Sequence, residues 1–221
     1  MKKRFVPLKN YVKLETDKML SLSTEFYSSI NKRRSVRDFS EEPPPIEIIE
    51  NCIKSAGTAP SGANMQPWTF VLVKDKEVKR KIRVAAENEE KEFYTNRAPE
   101  EWIEALSPLG TNQSKPFLET APFLIVIFEK KYSINNQNKK IKHYYTKESV
   151  GIAAGILITA LHNCGLVSLT HTPSPMNFLN KLLTRPDSEK PYLILVVGYP
   201  AKNVIVPNIQ RKPLKDIMVI L

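Results

Sequence analysis

Residues 147 to 165, KESVGIAAGILITALHNCG, constrain the fold more than any other stretch. From Val150 to Leu161 the run carries no charge. It has the character of a helix. Gly151, Ala153, Ala154 and Gly155 let another element approach closely, and Gly165 stops it. A helix that is apolar nearly all round cannot be solvated on any side. It is either central to the domain or part of a subunit interface, and an obligate dimer built around it is the favoured reading. The uncharged run falls well short of the about 20 residues that a membrane span needs.

Around this helix, strands and helices interleave. PIEIIENCIKSAG reads as the first obvious helix, with Pro45 in its first turn and Gly57 as its cap. Ile46, Ile49, Ile53 and Ala56 share one face. After the loop APSGANMQP comes WTFVLV, a continuous apolar strand expected to be buried on both faces. Residues 75 to about 94 form a charged amphipathic helix, and 121 to 129 a second buried strand. LVSLTHTP is strand-like, and 191 to 200 is another core strand. Residues 201 to 221 form a C-terminal extension whose final DIMVIL is apolar enough to be one strand more. This order predicts a single α+β or α/β domain over residues 1 to 221, extended at both ends.

Composition narrows the function classes. With 42% hydrophobic and 25% charged residues in 221, the chain can bury a core without disulfide or metal staples. A net charge of +10 favours anionic partners. The excess is spread over residues 31 to 37, 76 to 83 and 138 to 142, which argues against a nucleic-acid face. Cys52 and Cys164 show neither Cys-x-x-Cys nor metal spacing; they read as buried free thiols in a reducing compartment, with a disulfide between them left open. MKKRFVPLKN has basic residues but no apolar segment behind them, so it is no signal peptide. A cytoplasmic protein is expected, with no membrane, nucleic-acid or metal partner.

Four segments carry chemistry. NKRRSVRDFS gathers Arg33, Arg34 and Arg37 around Ser35. It is either a solvated basic surface or a socket for a phosphate, which arginine forks and a hydroxyl suit. In APSGANMQP, Ser61, Asn64 and Gln66 offer side-chain hydrogen bonds, and Gly62 and Ala63 permit close backbone approach. LTHTP puts Thr170, His171 and Thr172 after a strand; no Ser-His-Asp or Cys-His arrangement can be assigned to that histidine. The tail supplies Arg211 and Lys212.

RRSVRDFS, APSGANMQPWTFVLV, THTPSPMN, VGYPA and RKPLKDIMV, in this order, resemble the flavin-dependent nitroreductase superfamily. HYYTKESVGIAAGILITALHNCGLVSLTHTP and the segment from Arg185 onward resemble its iodotyrosine deiodinase branch, in a soluble, prokaryote-like form. The likeness implies a nitroreductase-like fold, with a central mixed, mainly antiparallel sheet flanked by helices. It also implies a homodimer with active sites at the interface and a C-terminal tail exchanged with the partner subunit. It implies FMN as cofactor. Arg33, Arg34 and Ser35 match positions for the phosphate and ribityl chain, Arg37 the pyrimidine edge, and Thr172 the hydroxyl donor to N5. Pro60, Ser61, Gly62, Asn64 and Gln66 match the loop under the ring, Thr170 and His171 flank the N5 donor, and Arg211 closes on the phosphate.

Residues 87 to 117 resemble the family's substrate lid. Glu90 and Tyr94, four apart on a helix, match contacts to a substrate zwitterion together with Lys115. The Ala63 backbone N–H matches the phenolate contact. The implied reaction is reductive dehalogenation of a 3-halotyrosine, with NAD(P)H or an electron-transfer protein as electron donor. Two other readings remain at this point: a general NAD(P)H nitroreductase or quinone reductase, and a non-catalytic basic binding protein.

Overall fold

A computed structural model describes residues 5 to 221; the first residues of the basic N-terminus lie outside it. Its contacts divide the chain into Met1–Arg33 and Arg34–Leu221. The first unit holds helix α1, Thr16–Asn31, which the sequence reading passed over. Asp17 in its first turn suits the positive end of the helix dipole. None of its residues is buried, and Met19, Leu20, Phe26 and Tyr27 are exposed, so it lacks the covered stripe that makes a helix legible.

The second unit is built on four antiparallel strands: β1 (Trp68–Val73), β2 (Phe123–Lys130), β5 (Val167–His171) and β6 (Glu189–Gly198), in the order β1-β2-β6-β5. A small hairpin pairs β3 (Tyr132–Ile134) with β4 (Lys140–Lys142). Helices α2 (Ile46–Ala56) and α6 (Thr146–Asn163) share one core with alternate sheet residues Phe123, Ile125 and Ile127. Helices α3 (Lys76–Glu92), α5 (Phe117–Thr120) and α7 (Phe178–Leu182) share another with the intervening Leu124, Val126 and Phe128. Successive side chains point to opposite faces, so a strand covered on both sides must be apolar throughout, as β2 is. A fully buried leucine or isoleucine in these layers contributes about 1.5–3 kcal/mol.

Four expectations need correction. Cys52 is buried as expected but Cys164 is exposed, because it sits at the C-terminal cap of α6 and not within the helix. WTFVLV is a strand, but five of its six residues are only half-buried, because β1 lies at the sheet edge and pairs with β2 alone. The final DIMVIL is not a strand. The tail contains a single 3₁₀ turn, Leu214–Asp216, and Ile217 to Leu221 are exposed, with no strand among the described residues beside them to complete a ladder. The lid helix ends at Glu92 and gives way to a π-helical turn, Phe93–Arg97.

Other boundaries follow their local chemistry. Asp75 caps α3 by accepting the Val78 N–H at 2.9 Å. Gly165, at φ +79°, supplies the left-handed residue that ends the α6 segment. The inner face of α6 buries Val150, Ala153, Ala154, Leu157 and Leu161. Its outer face leaves Ile152 and Gly155 exposed.

Candidate active site

The cationic segment is anchored to the sheet through the main chain. Ser35 forms a parallel bridge to Ser168 of β5, and the Val36 N–H donates to the Ser168 carbonyl at 3.3 Å. Val36 and Phe39 are buried in the core, and Arg37 between them is only partly buried. Arg34 donates through Nη2 to the Pro207 carbonyl, tying the start of the tail to the same segment. Along β5 and just beyond it, Thr170 and Thr172 are exposed while His171 between them is buried.

The lid wall is built from side chains. Lys115 is only 2% exposed. Its ammonium lies 3.1 Å from the Glu90 carboxylate, donates to Thr111 Oγ1 at 3.0 Å and donates to the Asn112 carbonyl. Its backbone N–H donates to Glu87 Oε1 at 2.7 Å, and its Nζ stands 5.7 Å from the centre of the Tyr94 ring. Burial pulls Lys115 below the ordinary lysine value, against an opposing pull from Glu90. Arg97 closes the π turn by donating to the Glu89 carbonyl at 2.7 Å and to its carboxylate at 3.2 Å. Helix α4 (Glu100–Leu106) brings Trp102 to 6.1 Å from Phe93, between ring centres.

His171 joins the two walls. Its ring meets Phe117 edge-on at 5.6 Å, and Nε2 is buried with no hydrogen-bond partner among the described residues. Burial first, then the charges of Lys115 and Arg37, lower its pKa to about 3. At neutral pH it is a neutral imidazole.

These walls enclose a cavity of about 730 Å³. Arg37, Thr170, His171 and Thr172 line it from the sheet side, and Glu90, Tyr94 and Lys115 from the lid. Seven residues singled out in the sequence thus meet around one space. Glu89, Phe93, Trp102, Thr111 and Phe117 also line it and were missed. Thr111 and Phe117 flank Lys115 closely in sequence and were findable from it; Trp102 comes from α4, inside the expected lid segment but with no charged group to single it out.

The loop after α2 is not part of this lining. Ala63, Asn64 and Gln66 adopt left-handed backbone angles, φ 46°, 55° and 47°. Non-glycine residues accept such angles at a cost, and they gather at functional sites. The Ser61 hydroxyl fixes the turn by accepting the Gln66 N–H at 2.9 Å. At Gly62 an added Cβ would lie 3.1 Å from the Tyr145 ring, so glycine suits this close approach. Pro60 and Arg211 likewise lie outside the cavity lining. Arg33 ends the first unit, and Arg34 opens the second.

The nitroreductase family model matches residues 30–199. The chain belongs to the nitroreductase family. Within it, the chain is similar over nearly its whole length to iodotyrosine deiodinases, and it is one of that branch. It is 52% identical to the iodotyrosine deiodinase of Haliscomenobacter hydrossis, over 99% of this chain and 98% of that one. It is 50% identical to iodotyrosine deiodinase 1 of Homo sapiens, over 91% of this chain and 70% of that one. A crystal structure of oxidized iodotyrosine deiodinase bound to FMN and 3-iodo-L-tyrosine superposes with a TM-score of 0.74 at 35% identity, covering 85% of this chain and 96% of that one. The antiparallel sheet sandwiched by helices is thus the nitroreductase-like fold that the motifs implied.

Proposed function

We propose that this protein is an FMN-dependent dehalogenase of 3-halotyrosines, replacing the ring halogen with hydrogen and releasing halide. One observation carries the reading: a single cavity combines a cation-and-hydroxyl wall, Arg37 with Thr170 and Thr172, with a wall suited to a zwitterion, Glu90 with Lys115 and Tyr94. The donor set fits FMN. Arg33, Arg34 and Ser35 are the types that hold a phosphate dianion, and Arg211 of the tail adds a further cation. Arg37 keeps a fixed positive charge where negative charge develops on reduction. Pro60, Ser61, Gly62, Asn64 and Gln66 form the turn that supports the ring. Thr170 and His171 set the end of β5 so that the Thr172 hydroxyl can donate at N5. The flavin, when bound, supplies the two electrons.

The chain's own residues bind and orient the substrate. Lys115 meets the carboxylate, Glu90 the ammonium, and Tyr94 shares their side of the cavity. A halogen beside the phenol acidifies it, and the Ala63 N–H holds the resulting phenolate. Phe93, Trp102 and Leu106 exclude water as the lid shuts, which strengthens every charged contact inside.

The site is completed by a second copy of this chain. The Ser61–Gln66 turn lies away from the cavity in one chain, the outer face of α6 leaves Ile152 46% exposed, and Val219 and Ile220 of the tail are above 80% exposed. A homodimer would cover all three, with residues 201 to 221 wrapped on the partner. No helix among the described residues is long and apolar enough to cross a membrane. A cytoplasmic enzyme drawing electrons from NAD(P)H or an electron-transfer protein fits that.

The test is anaerobic: FMN-loaded protein, chemically reduced, is mixed with 3-iodotyrosine and assayed for iodide and tyrosine. Stoichiometric release of both is expected. Rapid oxidation by a nitroaromatic with no iodide from iodotyrosine would point to a general nitroreductase instead. Ile152→Glu should shift sedimentation from dimer toward monomer and lower flavin occupancy; an unchanged dimer refutes the interface.

A further inference from the structure

Two thiols that the dehalogenase reading does not use lie side by side. Cys52, on α2, and Cys164, at the C-terminal cap of α6, are 112 positions apart in the chain, yet their sulfurs are 4.0 Å apart. Cys52 is buried at 2% exposure, while Cys164 is open to solvent. Both helices pack on the same core, so the sulfurs are held together by tertiary structure rather than by chain proximity.

We propose that Cys52 and Cys164 are a modification site: a dithiol that a small-molecule disulfide of the glutathione class converts reversibly to an intramolecular disulfide stapling α2 to α6. The sulfurs must close from 4.0 Å to about 2.05 Å, a distance that side-chain rotation and small helix shifts can supply. Solvent access fixes the order of events. The Cys164 thiolate attacks one sulfur of oxidised glutathione, forming a mixed disulfide and releasing one glutathione thiolate. Cys52 then gives up its proton and attacks the Cys164 sulfur, breaking the mixed disulfide and releasing the second glutathione. The protein dithiol loses two electrons and two protons, and the glutathione disulfide gains them. In the dithiol, burial first, then the neighbouring Cys164, pushes the Cys52 thiol up to about 12; burial, the larger cause, persists in the mixed disulfide, so the second step is the slow one and accelerates with pH.

Closing so long a loop restricts the unfolded chain more than the folded one. The staple therefore raises the melting temperature, by roughly 5–15 °C for a chain of this size. Neither cysteine lines the dehalogenase cavity, so halide release by the reduced protein is unaffected.

The experiment treats the full FMN-loaded protein with excess oxidised glutathione at pH 7 and pH 9, followed by intact mass without reductant, peptide mapping and thermal unfolding. The expected result is a chain lighter by about two hydrogens, a peptide linking Cys52 to Cys164, faster linkage at pH 9 and a melting rise reversed by dithiothreitol. Cys52→Ala should stop at a glutathione adduct on Cys164, and Cys164→Ala should not react. A wild-type chain that stops at the adduct, or that links two chains through Cys164, overturns the proposal. The wild-type mass and peptide map decide it even where a variant folds poorly. Loss of iodide release from untreated protein would count against the dehalogenase reading and leave this one standing.

Discussion

Arg37 and Lys115 face one cavity from scaffolds of different kinds. Arg37 belongs to a segment held through its main chain to the edge strand β5, at the Ser35–Ser168 bridge, with Val36 and Phe39 buried on either side of it. Lys115 belongs to a wall closed by side chains: Glu90, Thr111, Glu87 and the π turn latched by Arg97. A main-chain bridge flanked by buried side chains opens less readily than side-chain latches, which exchange singly. The difference suits a permanent cofactor on one wall and a transient substrate on the other.

The comparison breaks most sharply at Lys115. A hydrogen bond to a charged group contributes about 1.5–3 kcal/mol, so Lys115→Ala should weaken halotyrosine binding roughly 10- to 150-fold, read by quenching of flavin fluorescence. Glu90→Gln should behave similarly and Glu89→Gln should not, since Glu89 is held by Arg97. Turnover of a nitroaromatic, which has no carboxylate, should change little. Equal losses for both substrates would mean that Lys115 serves the fold.

His171 sets the acid limit of the sheet wall. Its folded-state value of about 3 lies below the ordinary 6.5, so unfolding takes up a proton in acid. The stability it contributes is fully present above about pH 6.5 and is lost as pH falls below it, by up to about 1.4 kcal/mol per unit. The comparison is with His171→Asn, whose melting temperature should lack the extra acid loss between pH 5 and 6.5; parallel profiles would sink the idea.

Smaller effects sharpen each wall separately. On the proposed assignment of Thr172, Thr172→Ala would remove one neutral hydrogen bond to the cofactor, about 0.5–1.5 kcal/mol, and should shift the balance of one- against two-electron reduction in a spectroelectrochemical titration with FMN retained. An unmoved balance would end the N5 assignment. Arg97→Ala breaks a partly exposed latch of about 0–1 kcal/mol and should speed proteolysis within residues 87 to 117 several-fold while leaving the melting temperature nearly fixed.

The sequence made some of this legible and hid the rest for physical reasons. β2 and β6 were readable because burial on both faces demands unbroken apolar runs. WTFVLV carries the same run at a sheet edge, where composition alone does not reveal the missing neighbour. The tail's apolar end has strand character but no strand beside it, and pairing is a property of two segments. Helix α1 escaped because nothing on it is buried. Glu90, Tyr94 and Lys115 were found through family resemblance, since a glutamate among several acids has no distinctive pattern of its own. The contact between Cys52 and Cys164 is purely tertiary, and no spacing rule could have produced it.

The Glu90–Lys115 ion pair has a bearing on selectivity. With no guest the two charges already satisfy each other, 3.1 Å apart and largely out of water. A ligand that brings only an amine would capture Glu90 and strand a buried ammonium; one that brings only a carboxylate would strand Glu90 instead. Either leaves a lone charge in a low-dielectric site, at a cost of about 3–5 kcal/mol. Only a guest carrying both charges, spaced as on one amino-acid α-carbon, lets the pair part without loss. Halotyramines, halogenated phenylpropionates and halotyrosines embedded in a peptide chain should therefore all be turned away, although each presents the same halogenated ring.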